Sequence, residues 1–145
     1  MPTNSTPTKP NVKHINESQV VTQLIAQPKD ANTIGSVFGG TIMYWMDMAA
    51  AICARRHSNL RVATVNVKDV QFKEPIKVGH VVIIAAEMEK TVRTSMSVRV
   101  KVQLEDTYTQ ITKVAALAQF LIVGLNESGK PSAVPALAET RNTSQ

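Results

Sequence analysis

Residues 41–54 read TIMYWMDMAAAICA, and this run limits the fold more tightly than any other part of the chain. Asp47 is its only charged residue, and Met and Ala, both good helix formers, recur through it. Gly39-Gly40 precede the run, and Arg55-Arg56-His57 follow it with cations suited to a helix C-terminus. The pattern predicts a helix over 41–54. A helix apolar on every side needs cover on nearly every side. The chain has 145 residues, one domain's worth, enough to bury a core without disulfides or metals. It nevertheless has few elements to wrap such a helix. A sheet curled around the helix is expected, with a second copy of the chain completing the cover.

The remaining ordered sequence supplies five strand-like runs. Ser18–Gln27 is a first strand, and Arg61–Phe72 is rich in β-branched residues. His80–Met88 is a denser apolar run. In Ser95–Leu104, Met96, Val98, Val100, Val102 and Leu104 alternate with Ser97, Arg99, Lys101 and Gln103, which predicts one buried and one wet face. Ile111–Leu125 contains several alanines and is compatible with helix, but Gln119–Val123 reads as a central strand. The class is therefore α+β with a mostly antiparallel sheet. Pro2, Pro7 and Pro10 mark residues 1–16 as a disordered arm. Asn126, Gly129, Pro131 and Pro135 mark 126–145 as a turn and a flexible tail, leaving 17–125 as the single domain.

Composition removes several classes. No apolar window is long enough to span a membrane, and Met1–Pro10 is too polar for the core of a secretory signal. Cys53 is the only cysteine, so no intrachain disulfide and no multi-cysteine zinc site can form; a reducing, cytoplasmic location fits. The net charge is +5, and Arg55, Arg56, Arg61, Lys68, Lys73 and Lys77, set against Asp69 and Glu74, concentrate most of it between positions 55 and 77. Such a surface is a solvated face or attracts a polyanion: nucleic acid, anionic lipid or a phosphate-rich cofactor. With aromatics at 4% and no aromatic-basic interleaving, nucleic acid is the least favoured of these.

Three constellations carry candidate chemistry. Asp47 sits in an apolar helix, where a carboxylate is costly unless it is paired, hydrogen-bonded or kept for a reaction. Gly35, Gly39 and Gly40 lie directly before that helix, whose unpaired N–H groups can polarise a carbonyl. The plain alternative for these glycines is a tight, close-packed turn. Asn32 can bind a carbonyl or a water, or can simply form an Asx turn. His14, His57 and His80 have no nucleophile beside them and read as surface residues. Cys53, Met43, Met46 and Met48 read as core or tunnel lining. No metal-ligand spacing is present.

Together, Pro28–Ala51 (PKDANTIGSVFGGTIMYWMDMAAA) and Arg61–Val82 (RVATVNVKDVQFKEPIKVGHVV) strongly resemble the hotdog-fold acyl-CoA thioesterases. The bacterial YciA-like and the mammalian cytosolic brain-type acyl-CoA hydrolases are the most similar, and the likeness covers about residues 18–135. The resemblance implies a five- or six-stranded antiparallel sheet wrapped around one long central helix. It implies hydrolysis of fatty acyl-CoA to free acid and coenzyme A, with no cofactor. It places Asp47 as general base on a water, or as nucleophile, with Asn32 and the Gly40 N–H at the carbonyl or the water. Gly39 would border the substrate, and the pantetheine arm and phosphates would run toward Arg61 and Arg93-Thr94-Ser95. It also implies a homodimer with Asn32 and Asp47 from different chains, assembled as a trimer of dimers.

The chain departs from the family pattern at His80, where an acid is usual, at Lys68, where an acid is common, and at Val92, where glycine is frequent. These departures touch coenzyme contacts rather than the reaction. One rival reading is an acyl-CoA-binding hotdog regulator without hydrolysis, which would usually carry a separate DNA-binding domain. The other is a hotdog dehydratase, which would need a His beside the site acid.

Overall fold

The computed structural model describes residues 12–138. Helix α1 runs over Gly39–Ser58. Phe38 caps its start in extended conformation, accepting the Thr41 and Ile42 N–H groups on its carbonyl. Asn59 ends it in the left-handed region at φ 57°, returning its N–H to the Arg55 carbonyl. The helix is longer at both ends than the 41–54 run.

Five strands form one antiparallel sheet: β2 (Val20–Ile25), β3 (Arg61–Phe72), β4 (Val81–Val92), β5 (Ser95–Asp106) and β6 (Ile111–Leu125). Their spatial order is β2-β4-β5-β6-β3. Helix α1 packs against all five, which is the wrapped arrangement the resemblance implies. On β5, Met96, Val98, Val100, Val102 and Leu104 are all buried, as the alternation predicts. The alanine-rich β6 is strand throughout. Its small residues Ala115, Ala116 and Ala118 are buried in the same core as Ala49, Ala50 and Ala54 of α1, the small side chains that let a helix and a sheet pack closely.

Burial of the helix within the protomer is incomplete, as expected of a chain with few elements to wrap it. Ile42, Met46, Ala49, Ala50, Cys53, Ala54 and His57 form one buried stripe at helical spacing. Met46 is fully buried, which contributes about 2 kcal/mol. The opposite side is open: Tyr44 is 62% and Met48 47% exposed. Within one protomer the helix is thus covered on one side only, because a five-stranded sheet cannot close around it. Strand β3 is equally uncovered. It is an edge strand, mostly exposed, with register shifts after Thr64 and after Lys68 and a left-handed Asp69 at φ 55°.

The ends of the chain differ from the sequence expectation. Residues 12–16, read as part of a disordered arm, are built into the fold. Val12–Lys13 (β1) pairs in parallel with Ala136–Leu137 (β7), which the sequence assigned to a flexible tail. The reason is the helix C-terminus: Lys13 Nζ donates to the Arg56 carbonyl at 2.9 Å and to Asn59 Oδ1 at 2.7 Å. Residues 126–135 of that tail are likewise tied to the sheet, the Ser132 N–H donating to the Gly124 carbonyl and the Val134 N–H to the Arg93 carbonyl, both at 2.8 Å; residues 1–11 and 139–145 lie outside the described residues. His57, read as a surface residue, is fully buried beneath this clasp, with Nε2 2.7 Å from the Pro135 carbonyl.

Candidate active site

Asn32 opens the loop that leads into α1. Its Oδ1 accepts the backbone N–H groups of Ile34 and Ser36, both at 3.0 Å. The Gly35 N–H returns to the Asn32 carbonyl, and Gly35 stands at φ 83°, a conformation glycine adopts at no steric cost. The Asx turn is therefore real. Two donors facing one side-chain atom fix that atom as the oxygen, so the amide nitrogen is the group left to donate outward. The loop is tied down by Val37 N–H on the Ile76 carbonyl and by Lys77 Nζ on Ser36 Oγ.

At the start of α1, Phe38 offers no side-chain cap. The N–H groups of Gly39 and Gly40 have no hydrogen-bond partner among the described residues. A Cβ at Gly40 would meet nothing within 4 Å, so the residue is not packed against a neighbour on that side. A Cβ at Gly39 would touch the Phe72 ring at 3.5 Å, so Gly39 packs against the end of β3.

Asp47 lies on the open side of α1, and its Oδ1 accepts the Thr64 hydroxyl at 2.7 Å. Thr64 is absent from the residues singled out in the sequence. Its position follows from the hairpin that α1 and β3 make about Asn59. Twelve helical residues back to Asp47 rise about 18 Å, and five strand residues on to Thr64 rise about 17 Å. The two side chains reach the same level on opposite legs. One carboxylate oxygen is held by the hydroxyl and the other is left open to solvent or substrate.

The coenzyme candidates gather at the turn end of this hairpin. Arg61 pairs with Leu125 and Ser95 with Val123, while the Gly124 N–H donates to the Thr94 carbonyl. Arg61 and Arg93-Thr94-Ser95 therefore flank the last residues of β6. Arg93 is exposed and left-handed at φ 46°. The Ser95 hydroxyl is spent inside the turn, donating to the Val92 carbonyl at 3.1 Å.

Burial pushes the Cys53 thiol up to about 11, so it is inert as a nucleophile. No group of three His, Cys, Asp or Glu among the described residues is arranged to hold a metal ion. None of the described helices is long and apolar enough to cross a membrane.

The model of the thioesterase superfamily matches residues 34–111, a span that contains Gly39, Gly40, Asp47 and Thr64. The acyl-CoA thioester hydrolase YciA of Salmonella typhimurium is 33% identical over 122 residues, covering 82% of this chain and 92% of that protein. The acyl-CoA hydrolase of Staphylococcus aureus, solved with butyryl coenzyme A, coenzyme A and coenzyme A disulfide, superposes with a TM-score of 0.85 at 31% identity, covering 90% of this chain and 80% of that one. Solved variants of that enzyme replace an asparagine, an aspartate and a threonine by alanine, at the same order and spacing as Asn32, Asp47 and Thr64 here. A hexameric thioesterase of Yersinia pestis gives a TM-score of 0.74 at 33% identity over 79% of this chain and 93% of that one.

Proposed function

The chain belongs to the thioesterase superfamily and is an enzyme that hydrolyses acyl-CoA thioesters, and from that premise we propose how its own residues carry the reaction. The substrate is a fatty acyl-CoA. Asp47 is the general base. Its open carboxylate oxygen takes a proton from water as the water oxygen attacks the thioester carbonyl carbon. The bond to sulfur then breaks, the coenzyme A thiolate leaves and takes up the proton, and the free acid is released. A thiol with an ordinary pKa near 8.5 is a good leaving group, so one carboxylate and a polarised carbonyl suffice.

The carbonyl oxygen is held by the Gly40 N–H, with the Asn32 amide nitrogen beside it or on the water. These groups come from the partner subunit. Seven helical residues separate Gly40 from Asp47 in one chain, a rise of about 10 Å, too far for both to act on one carbonyl. The open face of α1 and the edge strand β3 are the surfaces for a two-fold partner, which supports a homodimer with two shared sites. The likeness to a hexameric thioesterase favours a trimer of such dimers.

The observation that carries this reading is the 2.7 Å hydrogen bond from Thr64 to Asp47. It orients the one carboxylate on an otherwise apolar helix face without consuming its second oxygen. Release of free thiol from a panel of acyl-CoAs tests it. Asp47→Asn is expected to lower kcat by at least about 100-fold while the variant folds normally. Normal turnover by the folded variant would remove Asp47 from the chemistry.

A further inference from the structure

Ser36 and Lys77 form an isolated antiparallel bridge between the loop that carries Asn32 and the turn before β4. The Val37 N–H reaches the Ile76 carbonyl at 2.8 Å, and the Val78 N–H reaches the Gly35 carbonyl at 3.1 Å. In such a pair the two facing residues turn their own N–H and C=O groups outward, away from each other. Each is closed by one residue. On the loop side, the Asn32 N–H donates to the Ser36 carbonyl at 2.8 Å, and Asn32 Oδ1 accepts the Ser36 N–H at 3.0 Å. On the other side, the His80 N–H donates to the Lys77 carbonyl at 3.0 Å, and His80 Nδ1 accepts the Lys77 N–H at 2.9 Å. Asn32 and His80 are thus the two caps of one bridge. Both use the same pair of groups, the backbone N–H and an acceptor bonded to Cγ.

The His80 side of the bridge is anchored to the body of the fold. Ile76 is fully buried, the Gly79 N–H donates to the Ala26 carbonyl at 2.9 Å, and the Ala26 N–H donates to the His80 carbonyl at 3.0 Å. Gly79, at φ 96°, makes the turn from Lys77 to His80. Lys77 Nζ also reaches across to Ser36 Oγ at 2.9 Å, so the set of the Lys77 backbone bears on Ser36 twice. Facing an N–H, Nδ1 is the acceptor of a neutral ring whose proton sits on Nε2. His80 is also a position where the family pattern has an acid. A carboxylate likewise carries an acceptor on Cγ, so the departure changes the residue and keeps the hydrogen bond.

We propose that His80 is a positioning residue for Asn32. By closing the outer side of the Ser36–Lys77 bridge it fixes Ser36. The Ser36 N–H in turn holds Asn32 Oδ1, which keeps the Asn32 amide nitrogen directed at the thioester carbonyl or the water. The inference rests on the hydrolase reading and deepens it. His80 touches neither substrate nor water. Its effect falls on the transition state, because a displaced amide donor loses most where charge develops.

Thiol release from one acyl-CoA, together with NMR of the unliganded protein, tests this in His80→Leu, His80→Gln and His80→Asn. Leu has no acceptor, Gln carries its acceptor one bond farther from the backbone, and Asn keeps it on Cγ. His80→Leu and His80→Gln are expected to lower kcat about three- to tenfold, the reach of one neutral hydrogen bond in a partly exposed turn. KM should change less than about twofold, and His80→Asn should keep at least about half of the wild-type kcat. The Asn32 side-chain amide signals should move in the Leu and Gln variants and stay near their wild-type positions in the Asn variant. His80→Gln carries the comparison if His80→Leu does not fold. Wild-type kcat in a folded Leu or Gln variant, an Asn variant as impaired as these, or unmoved Asn32 signals would overturn the proposal. A wild-type protein that releases no thiol from acyl-CoA would sink the hydrolase reading, and the Asn32 signals would still decide whether His80 positions that side chain.

Discussion

Thr64→Val is the perturbation that isolates the orienting hydrogen bond. Valine keeps the β-branched shape that suits β3 and nearly the same volume, and it removes only the hydroxyl. The bond lost is 2.7 Å long and joins a hydroxyl to a carboxylate. Charge-assisted bonds of that kind are worth about 1.5–3 kcal/mol when desolvated. Both residues are exposed in the protomer, where water competes, so about 1–2 kcal/mol is the appropriate range. That converts to a fall in kcat of about 5–30-fold, less than the loss expected for Asp47→Asn. Thiol release from one acyl-CoA at saturating concentration measures it, with a circular-dichroism melt to confirm an intact fold. Thr64→Ser should recover most of the rate. If Thr64 acts through Asp47, adding Thr64→Val to Asp47→Asn should cost almost nothing more. Wild-type kcat in a folded Thr64→Val, or fully additive losses in the double variant, would refute the reasoning.

Other outcomes follow from the same structure. Burial lowers the His57 pKa below its ordinary 6.5, outweighing the Pro135 carbonyl bond that raises it. A histidine whose folded pKa is depressed contributes stability above about pH 6.5 and loses it as pH falls through the folded value. Thermal melts should therefore drop as pH is lowered from about 6.5, and His57→Gln, which can still donate to Pro135, should flatten that decline; an unchanged slope would contradict it. Turnover should survive EDTA, since water and one carboxylate suffice for the reaction; loss restored by a divalent ion would contradict that. Gly124→Ala should destabilise the fold by about 1–3 kcal/mol in a denaturant titration, because its Cβ would stand 2.8 Å from Val134 Cγ1 and 3.0 Å from Leu60 Cδ1.

Much of the fold was legible because its signals are local. The Met- and Ala-rich run around Asp47 marked α1, and the alternation from Met96 to Leu104 marked β5 together with its buried face. Apolar residues on both sides of α1, in a chain with few elements to wrap it, called for a second copy to complete the cover, and in the protomer Tyr44 and Met48 are left exposed on the open side. The clasp of β1 and β7 escaped notice because two-residue strands carry no periodicity. Only the tertiary contact of Lys13 with the end of α1 reveals the pairing. His57 was misplaced for the same reason, since its cover arrives from Pro135 at the far end of the chain. At the site, Asp47, Asn32 and the glycines stood out through residue type and spacing. Thr64 did not, because a threonine in a β-branched strand is unremarkable until the hairpin about Asn59 sets it level with Asp47.

The central claim is that each site is built from two chains, Asp47 and Thr64 from one, Asn32 and Gly40 from the partner subunit. Co-refolding Asn32→Ala chains with Asp47→Ala chains in equal amounts measures it. Each variant alone should be inactive at both of its sites. Random pairing makes half of the dimers mixed, and each mixed dimer has one site with both lesions and one with neither. Activity should return to about a quarter of wild type under two-fold symmetry. Mixed dimers confirmed by mass spectrometry that regain no activity would contradict the shared site.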